Sequence, residues 1–71
     1  MFGYFRKKRE RQDLVAKIAA YQKAQDELEL CREKMRNAGI NSSARAYQIV
    51  SAELVGIIGA KEHLEDRLAA L

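Results

Sequence analysis

Apolar residues recur along this chain at intervals of three and four positions, which is the spacing of one face of an α-helix. In the first half this stripe comprises Leu14, Ile18, Tyr21, Ala24, Leu28, Cys31 and Met35. In the second half it keeps heptad spacing, broken only by Lys61, and comprises Tyr47, Val50, Leu54, Ile57, Leu64, Leu68 and Leu71. No strand-like alternation and no proline occurs in either half. We therefore expect two long amphipathic helices, at residues 12–38 and 43–70.

The sequence NAGINSS between the two stripes has the features of one helix ending and another beginning. Gly39 suits the left-handed position after a helix, and Met35 and Ile40 are then the pair whose side chains meet in a Schellman motif. The N-cap of the second helix has three adjacent candidates, which are Asn41, Ser42 and Ser43. The sequence does not decide among them. A turn of about four residues, at 39–42, makes the two helices an antiparallel hairpin.

The middle of the second predicted helix, IVSAELVGIIGA at positions 49–60, is apolar or small around most of its circumference. One neighbouring helix cannot bury such a surface on several sides. Gly56 and Gly59 each cost about 1 kcal/mol relative to alanine in a helix, and either close packing of another backbone or a locally flexible helix explains them. The pattern favours an all-α hairpin that dimerises into a four-helix bundle. The predicted dimer contacts are Ile49, Ala52, Val55, Gly56, Ile58, Gly59 and Ala60.

The short length also favours self-association. A chain of 71 residues buries little apolar surface alone and usually relies on disulfides, a metal ion or oligomerisation. Cys31 is the one cysteine and His63 the one histidine, so we expect neither an internal disulfide nor a metal site. A lone thiol is typical of a reducing compartment. With no recognisable signal peptide or transmembrane stretch, the sequence predicts a cytoplasmic protein.

Residues that could carry catalysis are sparse, because catalysis requires a nucleophile with a base, a paired acid and base, or a metal. Cys31 lies on the apolar stripe, where a cysteine usually acts as a small apolar side chain. His63 lies near the far end of the second helix. Glu53 lies at the edge of the stripe, either at its rim or as a buried carboxylate that would fix dimer register. We expect no enzyme activity, no catalytic residue, no cofactor and no small-molecule substrate.

The N-terminal segment, residues 1–11, differs from the rest of the chain in charge and aromatic content. Residues 1–12 contain five basic side chains and one acidic one, whereas the remainder contains eight basic and nine acidic ones. The apolar stripe does not continue into this segment. Two interpretations are open, a docking peptide and a frayed, solvated helix start. Under the first, the partner-binding residues are Phe2, Tyr4, Phe5, Arg6, Lys7, Lys8, Arg9 and Arg11.

In architecture, the helical pattern of residues 13–71 resembles two groups of proteins. One is the repressor-of-primer family of plasmid copy-number regulators, helical hairpins of similar length that dimerise into four-helix bundles and bind RNA. The other is the class of small phage-encoded helical proteins that bind and disable host proteins. The chain departs from the RNA-binding family because Lys17, Lys23 and Lys34 are interleaved with acidic residues. Helix one therefore has no continuous basic stripe for phosphate groups.

Three functions would use the same N-terminal residues. The leading hypothesis is a homodimeric protein-binding module, an inhibitor or adaptor of a host protein. It would dock through the aromatic and basic segment and through whatever apolar surface of helix two the dimer leaves exposed. The first alternative is nucleic-acid binding through the basic run at positions 6–11. The second is reversible attachment to an anionic membrane, with the aromatic side chains as wedges beside the basic cluster.

Overall fold

The computed structural model describes residues 2–71, except for the side chain of Phe2, and these residues form two α-helices. Helix α1 spans Phe2–Asn37 and helix α2 spans Arg45–Ala69. The described residues contain no β-strand. The two helices pack against each other along a molecule that measures 58 × 14 × 13 Å. The predicted all-α helical hairpin is confirmed.

The interface between the helices is the predicted apolar seam. Every residue of the two stripes is buried or half-buried. Among the described residues, the fully buried apolar side chains are Leu14, Leu54 and Leu64, with 3%, 4% and 8% of their surface exposed. One seam between two helices covers one side of each helix and leaves the remaining sides in water. The hairpin therefore has a narrow core.

Lys61, which interrupts the apolar stripe of α2, is held by two side chains of α1. Its Nζ donates hydrogen bonds to Oε1 of Gln22 at 2.7 Å and to Oε1 of Gln25 at 2.8 Å. A half-buried ammonium group needs such acceptors, because it has lost part of its hydration. These two hydrogen bonds fix the register of the antiparallel helices, because sliding one helix by one turn would separate Nζ from both amides.

The end of α1 is the predicted Schellman motif. Gly39 has φ of 82°. The N–H of Ile40 donates to the carbonyl of Met35 at 2.9 Å, and the N–H of Gly39 donates to the carbonyl of Arg36 at 3.1 Å. These two bonds satisfy carbonyl groups that have no partner within the helix. The left-handed glycine and both hydrogen bonds confirm the prediction for this turn.

Replacing Gly39 with alanine should destabilise the hairpin by about 1–2 kcal/mol, because an L side chain is strained in the left-handed region. A Cβ at this position meets no described atom within 4 Å, so the loss arises from the backbone and not from a clash. Urea unfolding of Gly39→Ala and Gly39→Asn measures the effect. Asparagine tolerates this conformation better and should lose less. Equal stability of Gly39→Ala and the parent would contradict the motif.

The start of α2 differs from the prediction. Helix α2 begins at Arg45, and Ala44 is its N-cap. None of the predicted caps, Asn41, Ser42 and Ser43, occupies that position. The Oδ1 of Asn41 instead accepts a hydrogen bond from the N–H of Ser43 at 3.0 Å. This Asx turn competes with helix capping for the same side-chain oxygen, so the connection is longer than the predicted four residues.

The start of α1 also differs, because the helix begins at Phe2 and not at residue 12. Residues 6–12, RKKRERQ, are strong helix formers, so the helix continues without an apolar seam to support it. With 36 residues in α1 and 25 in α2, α1 extends past the end of its neighbour. We call residues 2–11 the α1 extension.

Candidate functional site

The α1 extension projects beyond the end of α2. Among the described residues, the interhelical ion pair at this end joins Glu10 Oε1 to Arg67 Nη2 at 3.7 Å. Both side chains are about half exposed, so the pair contributes at most about 1 kcal/mol. Residues 3–9 are all exposed. At 1.5 Å per residue, this part of the helix reaches roughly 10 Å past the ion pair, surrounded by solvent.

Tyr4 and Phe5 form the apolar tip of the extension. They are 69% and 67% exposed. Their rings contact each other edge to face, with centroids 5.6 Å apart and planes inclined at 78°. This contact holds the two rings together but leaves most of their surface in water. The side chain of Phe2, the third aromatic residue of the predicted docking peptide, lies outside the described part of the chain.

The cations of the extension surround the helix behind this tip. Consecutive helical residues are rotated by about 100°, so the run from Arg6 to Arg9 points to four different sides, and Arg11 adds a fifth cation. All five side chains are exposed. Cations near a helix N-terminus are unfavourable because the helix dipole is positive there, and the first turn of α1 has no acidic residue. An anionic partner would relieve this repulsion.

The seven predicted dimer contacts are spread over three sides of α2. Periodicity places Ile49, Gly56 and Ala60 on one flank of the seam, Val55 and Ile58 on the opposite flank, and Ala52 and Gly59 away from α1. A Cβ built at Gly56 or Gly59 meets no described atom within 4 Å. Within one chain these glycines therefore face open space, and α1 does not provide the predicted close packing. The seven residues together do not form one surface.

An open groove runs along one flank of the hairpin, with a volume of about 590 Å³. Small side chains on both helices leave this space unfilled. Its walls are formed by Lys17, Ala20, Tyr21 and Ala24 of α1 and by Ala60, His63 and Leu64 of α2. Gly56 and Ile49 continue the α2 wall at helical spacing. We call this surface the alanine groove. The sequence pattern did not predict this groove, although the small side chains at positions 20, 24 and 60 could have indicated it.

The remaining candidates have ordinary surroundings. Cys31 is half-buried in the seam with a free thiol, as predicted. His63 and Glu53 are exposed in the single chain. The described residues contain no group of three histidine, cysteine or acidic side chains that could hold a metal ion. Likewise, neither described helix combines the length and the apolar character that a membrane crossing requires.

Comparison with known proteins gives no match: no protein-family model, curated protein or solved structure matches this chain. The similarity to other helical hairpins therefore stays at the level of architecture. The α1 extension and the alanine groove are two surfaces that the described hairpin leaves uncovered.

Proposed function

We propose that this protein is a non-catalytic, homodimeric protein-binding module, an inhibitor or adaptor that docks to its target through the α1 extension. The observation that carries the proposal is the exposure of Tyr4 and Phe5 on a projecting helix, directly before five exposed cations. Aromatic and arginine side chains are enriched among the residues that dominate protein interfaces. The matching target surface is an apolar pocket with an acidic rim.

The order of residues along the extension favours entry by its tip. Tyr4 and Phe5 lie in the first turn of α1, and the cations follow in the next two turns. Burying one large aromatic side chain stabilises a complex by roughly 1.5–3 kcal/mol. Cations at the rim of the pocket add less affinity, but they speed association and exclude basic surfaces. The tip therefore supplies most of the affinity, and the cations select an acidic target.

The same geometry argues against the two alternative partners. A helix that lies on a membrane needs an apolar face along its length, and the cations on every side of residues 6–11 leave no such face. Nucleic-acid binding benefits from a continuous basic surface. Beyond the extension, Lys17 and Lys23 of α1 are interleaved with Asp13 and Asp26. A protein pocket uses the aromatic tip and the cations together.

Dimerisation is the second part of the proposal. The described core contains three fully buried apolar side chains, which is little for a chain that has no internal disulfide. Ile49 and Val55 remain 50% and 69% exposed on α2. Two hairpins that assemble as a four-helix bundle would bury one such flank on each copy. A homodimer also presents two α1 extensions to its targets.

Alanine at both Tyr4 and Phe5 should weaken target binding more than tenfold while the chain keeps its helical content, because these side chains are exposed and support no core. The intact chain serves as bait to isolate the target, whose affinity for each variant is then measured by titration. Alanine at Val15 and Leu30, which are also at least half exposed and lie on α1 outside the extension, is the matched control and should bind like the parent.

The cations are tested separately, by glutamine at all five basic positions of the extension. This change should lower the rate of association with the target. Binding of the parent to the target should weaken only modestly as the salt concentration rises. Its control replaces three exposed cations elsewhere, at Lys23, Lys34 and Arg36. Two results would contradict a protein target. One is tight binding of the parent to a DNA duplex or an RNA hairpin, which added salt weakens steeply and which is lost only when the cations are replaced. The other is binding of the parent to vesicles of anionic phospholipid.

A further inference from the structure

We propose that a second copy of this chain occupies the alanine groove, antiparallel to the first, with the two-fold axis at the level of Ala24 and Ala60. This inference rests on the homodimer of the proposed function. It names the face and the orientation of that dimer, which the seven residues predicted from the sequence do not define.

The two flanks of the seam differ in how well they are closed. On one flank, Lys61 bonds to Gln22 and Gln25 and fills the space between the helices with hydrogen-bonded polar groups. On the other flank, Ala24 and Ala60 line the open groove. A second pair of helices approaches closely where side chains are small, because side-chain size sets the distance between packed helices. The alanine groove is therefore the flank on which another hairpin can dock.

The exposed area of the chain supports a partner of this size. The chain exposes 5603 Å², whereas a compact monomer of its mass exposes about 4,500 Å². The excess of roughly 1,100 Å² follows from the elongated hairpin and its α1 extension, and a second copy packed along one flank would bury part of it, since each partner of a stable complex buries about 600–1,000 Å². A second copy is the partner whose presence is assured wherever the chain is made.

Heptad spacing places opposite charges symmetrically about the Ala24–Ala60 level. Lys17 lies seven residues before Ala24, on the same side of α1. On α2, Glu53 lies seven residues before Ala60, and Arg67 lies seven residues after it. Because the helices are antiparallel, Lys17 and Arg67 share one end of the groove and Glu53 lies at the other end. On α2, Glu53 and Arg67 are equally far from the Ala24–Ala60 level.

This symmetry selects the orientation of the second copy. Two antiparallel hairpins that face each other across the groove place α1 beside α1 and α2 beside α2, so Glu53 of each copy faces Arg67 of the other and the two-fold axis relates two such ion pairs. In a parallel pair, α1 lies beside α2 of the second copy, so Lys17 would face Arg67. Like charges that face each other at an interface disfavour that arrangement. The antiparallel dimer is self-complementary in charge.

Disulfide cross-linking tests the face. In a Cys31→Ser background, Ala24→Cys should form a covalent dimer with oxidised glutathione, because the two cysteines lie beside the two-fold axis within disulfide reach. Val55→Cys, on the opposite flank and 69% exposed, is the control and should stay uncoupled. Sedimentation should give about twice the chain mass of 8.1 kDa. A dimer that couples through Val55, or through neither position, overturns the groove assignment and leaves the homodimer standing. A monomer overturns both.

Charge reversal tests the orientation. Glu53→Arg and Arg67→Glu should each weaken the dimer about tenfold, and the double variant should recover the parental dissociation constant. Glu53 and Arg67 are roughly 20 Å apart along α2, so recovery can arise only between copies. A double variant that stays as weak as the single variants overturns the antiparallel pairing. Arg67 also pairs with Glu10 of the α1 extension, so target binding is compared on Glu53→Arg, which leaves that pair intact.

Discussion

Leu54→Ala should lower the free energy of unfolding by about 2–5 kcal/mol, because it removes a buried side chain from the interface between the two helices. Leu54 is 4% exposed and is one of the three fully buried apolar side chains of the described residues. Small domains are stable by only about 5–15 kcal/mol. The substitution therefore removes a large share of the stability of the hairpin.

Val55 provides the matched control, because it is the next residue along α2 and is 69% exposed. Val55→Ala should change the free energy of unfolding by no more than about 0.5 kcal/mol. Urea unfolding at one fixed protein concentration compares the two variants, since the stability of a dimer depends on concentration. Neighbouring residues differ by about 100° around a helix. Equal losses of unfolding free energy for Leu54→Ala and Val55→Ala would mean that a different side of α2 faces α1.

The seam could be predicted because burial repeats with the period of the helix. Each stripe position from Leu14 to Leu71 is buried or half-buried, and the glycine turn has the predicted hydrogen bonds. The cap of α2 could not be predicted in the same way. Asn41, Ser42 and Ser43 all have side chains that can bond to the backbone, and the choice between an Asx turn and a helix cap depends on the path of the whole connection.

The start of α1 shows the difference between packing and helicity. The apolar stripe predicts where a helix contacts its neighbour, and this contact ends near Glu10. Helix formation in the α1 extension depends on the propensities of Arg, Lys, Glu and Gln, which need no neighbour. An interpretation from apolar periodicity alone therefore places the helix start too late. Because the extension is helical without a neighbouring helix, it projects into solvent with an exposed aromatic tip.

The alanine groove could not be predicted, because it depends on the register between two helices. The sequence identified Lys61 only as a break in the stripe of α2. In the structure, its bonds to Gln22 and Gln25 set the register and close one flank. The register brings Ala24 and Ala60 into the walls of one groove on the other flank. A single stripe contains no information about which residues of the second helix lie opposite it.

Gly56→Leu gives the largest effect that we expect on the dimer, a loss of about 1–3 kcal/mol through overpacking of the interface. In the single chain this substitution should be favourable. A Cβ at Gly56 meets no atom of the described residues within 4 Å, and leucine has a better helix propensity than glycine by up to about 1 kcal/mol. Any loss must therefore come from a second copy in the alanine groove.

Gly59→Leu separates helix propensity from packing. Gly59 faces away from α1 and from the groove, and a Cβ there also meets no described atom within 4 Å, so this variant should be more stable than the parent. Thermal unfolding over a range of protein concentrations compares Gly59→Leu with Gly56→Leu. For Gly56→Leu the melting temperature should fall below that of the parent at high concentration, and the deficit should shrink on dilution as the dimer dissociates. If both variants instead melt above the parent at every concentration, Gly56 has no neighbour in the assembly. The glycines then mark a locally flexible helix, and the second copy docks elsewhere.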